Sequence, residues 1–581
     1  MSQKRLKKLR KQQAEIEDKT IEIREGKHEI FPKFWDIIKQ NWKFLVLMSL
    51  LAIALYANAM NGDFVSDDYA TIPQNPEIGS FKYAMTHVTF GNSMMLTNYF
   101  IYKLFGFDSP VPYHITSLIY YLIFNVLAFV FVKLITKNDW VTKISMLIFV
   151  FHPIHVEAVS WNAGKIYLIL AIYILASVIN FIYYLDRGKT LNLILSGLFF
   201  LLAFQTDRPR PFAVFLIILL YFVFYGWRSI WDKYAKYFWW LILVAFVGVI
   251  ISWPYINSRI NIVNSGYNAS ESIFYNPFFQ YPTEISKYLQ LLFIPVDLTL
   301  YHTMYVLPGW LNWLILINYL ALIVYFYFKD KKYFFALSFI FVSIAPSIAP
   351  IKVSWLVAER YMFLGSLGFC WFLGLLVNDH WKKLKFLTPT ILFSLLAYYG
   401  FRVYSRNIDW STNHNLWVNT CQVSPNSHNA WNNIGDDYDK LADYDNAVKG
   451  FTQSVLVKPN YADAYHNRAN IFFKTGRLDL ARESYDTALK FTSTLFQTYL
   501  SLTQIDLNEG KLDLALAHAS KAVEIQPGDV QANFVLGIVY AQVGRIDEAK
   551  TIMKQILTVY PDYKMARDAL IQLESIKVGN T

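Results

Sequence analysis

The chain has 581 residues, 55% of them hydrophobic and 18% aromatic, and its 53 lysines and arginines against 43 aspartates and glutamates give a formal net charge of +10. So much apolar and aromatic content excludes a soluble globular protein of ordinary composition. The basic excess sits largely in KRLKKLRKQQ at the start and in short links between apolar runs, a pattern of membrane topology that excludes nucleic acid as the partner.

In chain order, residues 1–41 form a basic segment, too long and too charged for a cleaved signal peptide, and are expected to stay cytoplasmic. Residues 42–404 read as a polytopic membrane domain. About eleven spans are expected, at 42–60, 111–135, 140–160, 165–185, 190–206, 209–226, 236–256, 310–328, 333–350, 356–377 and 385–403. Lys133, Lys137 and Lys143, Arg187 and Lys189, Arg228, Lys233 and Lys236, KDKK at 329–332, and Lys382, Lys383 and Lys385 fall on alternate links and mark the cytoplasmic side. Segment 283–295 is too short to span and reads as a re-entrant or interfacial helix. By this parity the links 61–110, 152–164, 207–211, 257–309 and 351–360 face outward, with everything beyond Tyr404. Cys370 lies in an apolar run and Cys421 after the last one, so no disulfide is expected.

Beyond a linking helix or half-repeat at 405–425, Pro425, Pro459, Pro527 and Pro561 lie on one 34-residue lattice, with Ser493 at the vacant node. Ala447, Ala481, Ala515 and Ala549 share that spacing, and Ala442, Gly476, Gly510 and Gly544 fall where two helices of a pair must turn. Trp431, Ile434, Gly435, Tyr438, Ala447, Phe451 and Pro459 reproduce the tetratricopeptide pattern. Four repeats are expected at 426–459, 460–493, 494–527 and 528–561, closed by a capping helix and tail at 562–581. The third departs most from the pattern, with Thr503 and Asp506 where small and aromatic residues are usual. The fold class is therefore all-α, a many-spanned membrane body followed by an α-solenoid.

Chemistry is sought on the outward face. Asp67 and Asp68, in NGDFVSDDYATIPQNPEIGSF, stand a few residues beyond the first span; locally they can cap a helix, but in a cavity between helices desolvation and mutual repulsion would raise one pKa toward that of a base. FHPIHVEAVSWNAGK brings His152, His155 and Glu157 to the end of the third span. Pro153 interrupts the helix between the histidines and the spacing is not that of a helical zinc motif, so no metal is assigned and hydrogen bonds to loop ends are the alternative role. Lys165, Arg208 and Arg210 in TDRPRP, Lys352, and Arg360 beside Glu359 supply cations at the same face, with Glu359 and Arg360 placed to neutralise one another. Guanidinium forks suit phosphate oxygens. Acids, cations and an aromatic membrane body together point to a reaction between a lipid-linked phosphate and something arriving from outside.

GDFVSDDYATIPQNPEI, HPIHVEAVSWNAGK, KYLQLLFIPVDLTLYH, VAERYMFLGS and RNIDWSTNHNLW, in this order, resemble the landmarks of the transmembrane and tetratricopeptide repeat-containing protein O-mannosyltransferases and their prokaryotic relatives. The resemblance implies a GT-C glycosyltransferase fold that takes a sugar from a polyprenyl or dolichyl phosphate and passes it to Ser or Thr hydroxyls of a protein. It places the family's acidic motif on Asp67 and Asp68, its His-Pro motif on His152 and Pro153, and its Glu-Arg-Tyr motif on Glu359, Arg360 and Tyr361. Two places depart from the family pattern: TDRPRP replaces a Ser-Lys-Glu, and GKIY keeps a cation at Lys165 where relatives have Gly-Arg and an acid.

The expected reaction is a single inverting displacement, with Asp67 or Asp68 as base and Arg360, Lys165, Arg208 and Arg210 on the departing phosphate, while His152, His155, Glu157, Glu359 and Tyr361 support the site. No cofactor or metal is expected to be essential. The partners expected are the lipid-linked sugar, membrane lipid, and an acceptor protein held in the groove of the repeats. The expected location is a bacterial inner membrane with the repeats periplasmic, or an endoplasmic reticulum membrane with the repeats luminal. The rival readings are a membrane-anchored repeat scaffold without catalysis and a lipid-linked substrate transporter; sparse charge at mid-span disfavours the transporter.

Overall fold

The computed structural model describes residues 31–86, 91–225, 276–348, 355–381 and 383–575, with scattered residues between 248 and 258. The basic segment to residue 30, links bearing Arg228, Lys233, Lys236 and Lys382, most of the expected span 236–256, Lys352 and the tail from 576 lie outside the described residues. Among the described residues every element is helical, and the chain divides into two compact units, 1–419 and 420–581.

Among the described residues of the first unit four helices are long and apolar enough to cross a membrane: Phe34–Ala59, Val111–Thr136, Lys165–Arg187 and Gly309–Lys329, of 26, 26, 23 and 21 residues. At about 1.5 Å per residue each exceeds the roughly 30 Å hydrocarbon thickness. The expected span 140–160 is broken. Asp139–Phe151 stops at His152, whose extended backbone is what a following proline imposes, and Pro153–Ser160 leaves at 56°. Thr190–Thr206, Ala213–Tyr225, Lys331–Ile344 and Ser366–Trp381 are apolar helices of 17, 13, 14 and 16 residues; the first matches the expected span 190–206, and the last two are shorter than the spans expected there. Prolines 209 and 211 follow the first of them and Pro346 the third, so the sequence itself stops these helices. Leu387–Asp409 runs on past the expected end at 403, and Asn413–Val423 is a separate helix.

The 283–295 segment is the end of a longer helix, Pro277–Phe293, which buries Gln280, Glu284 and Lys287. Lys165–Arg187 packs against Thr190–Thr206 and Val111–Thr136, and Asp139–Phe151 against Ser366–Trp381. At the last crossing the backbones meet so closely that a Cβ on Gly374 would lie 2.1 Å from Ser145 Oγ.

The second unit stacks helix pairs His428–Lys440 with Tyr444–Val457, Ala462–Lys474 with Leu478–Phe491, Phe496–Asn508 with Leu512–Ile525, and Val530–Gln542 with Ile546–Val559, followed by Lys564–Ser575. Each pair turns through a left-handed residue, with φ of 58° at Ala442, 75° at Gly476, 71° at Gly510 and 82° at Gly544. The odd residue of the third repeat has a role in packing. Asp506, fully buried, accepts from Arg482 Nη2 and His518 Nδ1, both at 2.7 Å, so a hydrogen-bonded polar cluster stands where an aromatic ring is usual.

Candidate functional site

The loop after the first long helix is pinned from three directions before it reaches the aspartates. Gly62 O bonds His114 Nε2 at 3.0 Å, Asp63 N donates to Ser411 O at 2.8 Å, and Val65 O accepts from Trp161 Nε1 at 3.3 Å. Trp161 in turn stacks on Trp410, ring centroids 5.5 Å apart. Three segments remote in sequence, 61–72, 156–164 and 407–413, are thereby held together.

The two aspartates have opposite surroundings. Asp68 is fully buried and spends both oxygens on backbone, accepting from Val65 N at 3.2 Å and Ala163 N at 2.7 Å. Burial pushes its pKa up to about 7 against those two hydrogen bonds and the positive charge of Lys165. Asp67 is exposed, and its carboxylate caps no helix. Enough protein still surrounds it for desolvation to raise its pKa, with the Arg360 guanidinium pulling the other way.

Arg360 is buried and held by Glu157, whose Oε2 accepts from the Arg360 backbone N at 2.8 Å while Oε1 takes the guanidinium. The expected neutralisation of Arg360 by Glu359 does not occur. Glu359, fully buried, turns away to Arg406 Nη2 at 3.2 Å, the Thr299 backbone N and His302. Adjacent side chains of an extended-to-turn segment diverge, so neighbours in sequence pair with different partners.

Arg210 reaches the same place. Its guanidinium carbon lies 4.3 Å from the Tyr361 ring centroid and 5.2 Å from that of Tyr167, and Arg360 lies 5.0 and 5.8 Å from the same rings. Both guanidinium groups thus lie within cation–π distance of the same two phenol rings. Asp207 and Ser347 hold Arg210, and each fork retains further N–H donors beyond those bonds. Arg208 is half-buried two residues before it.

Lys165 belongs to the aspartate side of the site. It is fully buried, donates to Asn98 Oδ1 at 3.2 Å, lies 5.4 Å from the Tyr113 ring centroid and feels the charge of Asp68. Both histidines are buried and engaged in hydrogen bonds. His152 Nε2 bonds Leu292 O at 3.0 Å and Nδ1 accepts from Ile154 N at 3.2 Å, while His155 bridges Tyr121 and Ser366 within a cluster including Phe149 and Phe363. Among the described residues no group of three or more His, Cys, Asp or Glu side chains could hold a metal ion.

Asn98, Trp161, Tyr167, Asp207, Arg406 and Asn413 also take part in or brace the site and were not singled out in the sequence. Trp161, Tyr167, Asp207, Arg406 and Asn413 do lie inside stretches quoted there, whereas Asn98 carries no local signal.

Tetratricopeptide repeat family models match residues 432–494 and 507–570. Protein O-mannosyl-transferase TMTC3 of Homo sapiens is 24% identical over 488 residues, covering 72% of this chain and 52% of that protein. The Mus musculus protein of the same name is 23% identical over 486 residues, covering 72% and 51%. The crystal structure of MamA protein is 20% identical with a TM-score of 0.24, over 26% of this chain and 83% of that one. The chain spans about half the length of the two curated relatives. Across about seven-tenths of its own length, then, the chain resembles the transmembrane and tetratricopeptide repeat family whose members are named protein O-mannosyl-transferases.

Proposed function

We propose that the protein is a membrane glycosyltransferase of GT-C type that moves a sugar, mannose by the names of its relatives, from a polyprenyl phosphate to a Ser or Thr hydroxyl of a protein, on the extracytoplasmic side. The observation that carries this reading is the pairing of unlike groups at one site: an exposed carboxylate, Asp67, within the field of a buried guanidinium, Arg360, that shares the Tyr167 and Tyr361 rings with Arg210.

Asp67 takes the acceptor proton as the hydroxyl oxygen attacks the anomeric carbon. The bond from that carbon to the phosphate oxygen breaks in the same step, and its electron pair leaves with the phosphate, whose charge Arg360 and Arg210 meet. One displacement inverts the anomeric centre. Asp68 shapes the loop and does not act as base, because both its oxygens already accept backbone hydrogen bonds. Lys165 offsets the buried charge of Asp68, and Arg208 stands near the phosphate side as a further cation. In this reading the aligned membrane helices form a body of about eleven spans, and the helix pairs of the second unit present the acceptor.

The test is transfer from radiolabelled polyprenyl-phosphate sugars to acceptor peptides by the purified full-length protein in lipid nanodiscs. Asp67→Asn should abolish transfer with folding intact. Full activity in that variant would remove the base assignment, and no transfer by wild type from any donor of the panel would favour the scaffold reading.

A further inference from the structure

Three non-glycine residues among those described have positive φ. Lys137 ends a helix and Ala442 turns between two, places where a left-handed residue is ordinary. Ser66, at φ 53°, follows no helix. It immediately precedes Asp67 and sets the direction in which the chain enters the Asp68–Thr71 turn. A side chain disfavours this backbone region, so the hydrogen bonds around Ser66 must hold it there.

Within the loop, Val65 O accepts from Asp68 N at 3.1 Å and Asp67 O from Thr71 N at 3.2 Å. Val65 is fixed on both sides, its N to Asp68 Oδ2 and its O to Trp161 Nε1, and Ser66 O accepts from Tyr69 N at 3.3 Å. The Ser66 N–H donates to Asn413 Oδ1 at 2.9 Å, across 347 residues of sequence. Asn413 opens the helix Asn413–Val423, and Ser411, two residues earlier, accepts from Asp63 N. The stretch RNIDWSTNHNLW, which the transfer chemistry leaves without a role, therefore reaches into the acidic loop at two points.

We infer that Asn413 is a positioning residue: by accepting the Ser66 N–H it helps hold Ser66 left-handed and so fixes the position of the Asp67 carboxylate. It touches neither substrate nor the reacting atoms. The inference rests on Asp67 being the base. Without the acceptor, Ser66 relaxes to an ordinary conformation, Asp67 swings, and a carboxylate displaced by about an ångström loses one to two orders of magnitude in rate.

The experiment compares Asn413→Ala, Asn413→Asp, Ser66→Gly and the double variant Ser66→Gly/Asn413→Ala in full-length protein in nanodiscs. Asn413→Ala should lower kcat by about ten- to a hundredfold with KM for the acceptor little changed. Asn413→Asp, which keeps an oxygen acceptor, should restore most of it. Ser66→Gly should soften the loss in the double variant, because glycine adopts positive φ without penalty. Hydrogen exchange of the 65–68 amides supplies a readout independent of turnover, expected to quicken at least tenfold in Asn413→Ala. An Asn413→Ala enzyme with wild-type kcat, beside an inactive Asp67→Asn, overturns the inference. If Asp67→Asn is itself active, the base assignment and the catalytic role of Asn413 fall together, whereas quickened exchange in Asn413→Ala still upholds its hold on Ser66 and unchanged exchange removes that too. Equal losses in Asn413→Ala and Asn413→Asp also overturn it.

Discussion

Replacing each of the two aspartates by asparagine separates their roles. In Asp68→Asn the amide oxygen can keep one of the two backbone donors, and the stronger contact, Ala163 N at 2.7 Å, is the one retained. The amide nitrogen then faces Val65 N, donor against donor, in a site with no exposed surface. One charge-assisted hydrogen bond is lost and one buried N–H is orphaned, which together cost about 2–4 kcal/mol. Asp67→Asn alters an exposed group that caps no helix, so its effect on stability stays within about 0.5 kcal/mol. On catalysis the order reverses: loss of the general base costs about 10²–10⁴-fold. The assay is thermal unfolding of the full-length protein in detergent, followed by tryptophan fluorescence, beside transfer in nanodiscs. Asp68→Asn should melt several degrees below wild type, and Asp67→Asn should melt with wild type and be inactive. A stable, inactive Asp68→Asn with an active Asp67→Asn would refute the reasoning and exchange the two roles.

Transfer should rise with pH along a limb whose midpoint lies above the ordinary aspartate range, because desolvation raises Asp67; in Arg360→Gln the residual rate should show that limb at still higher pH, since the charge that lowers the pKa is gone. The folded-state pKa of Asp68 lies above its unfolded value, so its contribution to stability is fully present below about 4 and is lost as pH rises through about 7; the melting gap between wild type and Asp68→Asn should narrow over that window. In the repeats, Gly510→Ala should cost about 1 kcal/mol at its φ of 71°, where an added Cβ meets nothing and only conformation is penalised; Ala442→Gly should recover part of such a cost, both read by urea unfolding with hydrogen exchange over the repeats. Treatment with a chelator followed by gel filtration should leave the transfer rate unchanged, since two guanidinium groups supply the positive charge at the phosphate.

What the sequence determined by itself is whatever rests on near neighbours in the chain. The helix pairs of the solenoid follow from a 34-residue lattice because each repeat packs mainly on the next, and the left-handed turns at Gly476, Gly510 and Gly544 are written as glycines. The long apolar helices are legible for a similar reason, since hydropathy sums over consecutive residues. How far the shorter apolar helices run is less legible, because an apolar run does not by itself say where a proline or a bend will stop it. The acidic loop, the His-Pro stretch and the Glu-Arg-Tyr triplet could be picked out as polar groups at helix ends, but not how they join. Tertiary structure alone decided that Glu157 takes Arg360 across 203 residues while Glu359 takes Arg406, that Asp68 is sealed under two backbone N–H groups while Asp67 is left open, and that Asn413 reaches Ser66. A buried charge accepts whichever counter-charge the packing brings within reach, and that choice depends on the folded path of the chain rather than on any spacing along it.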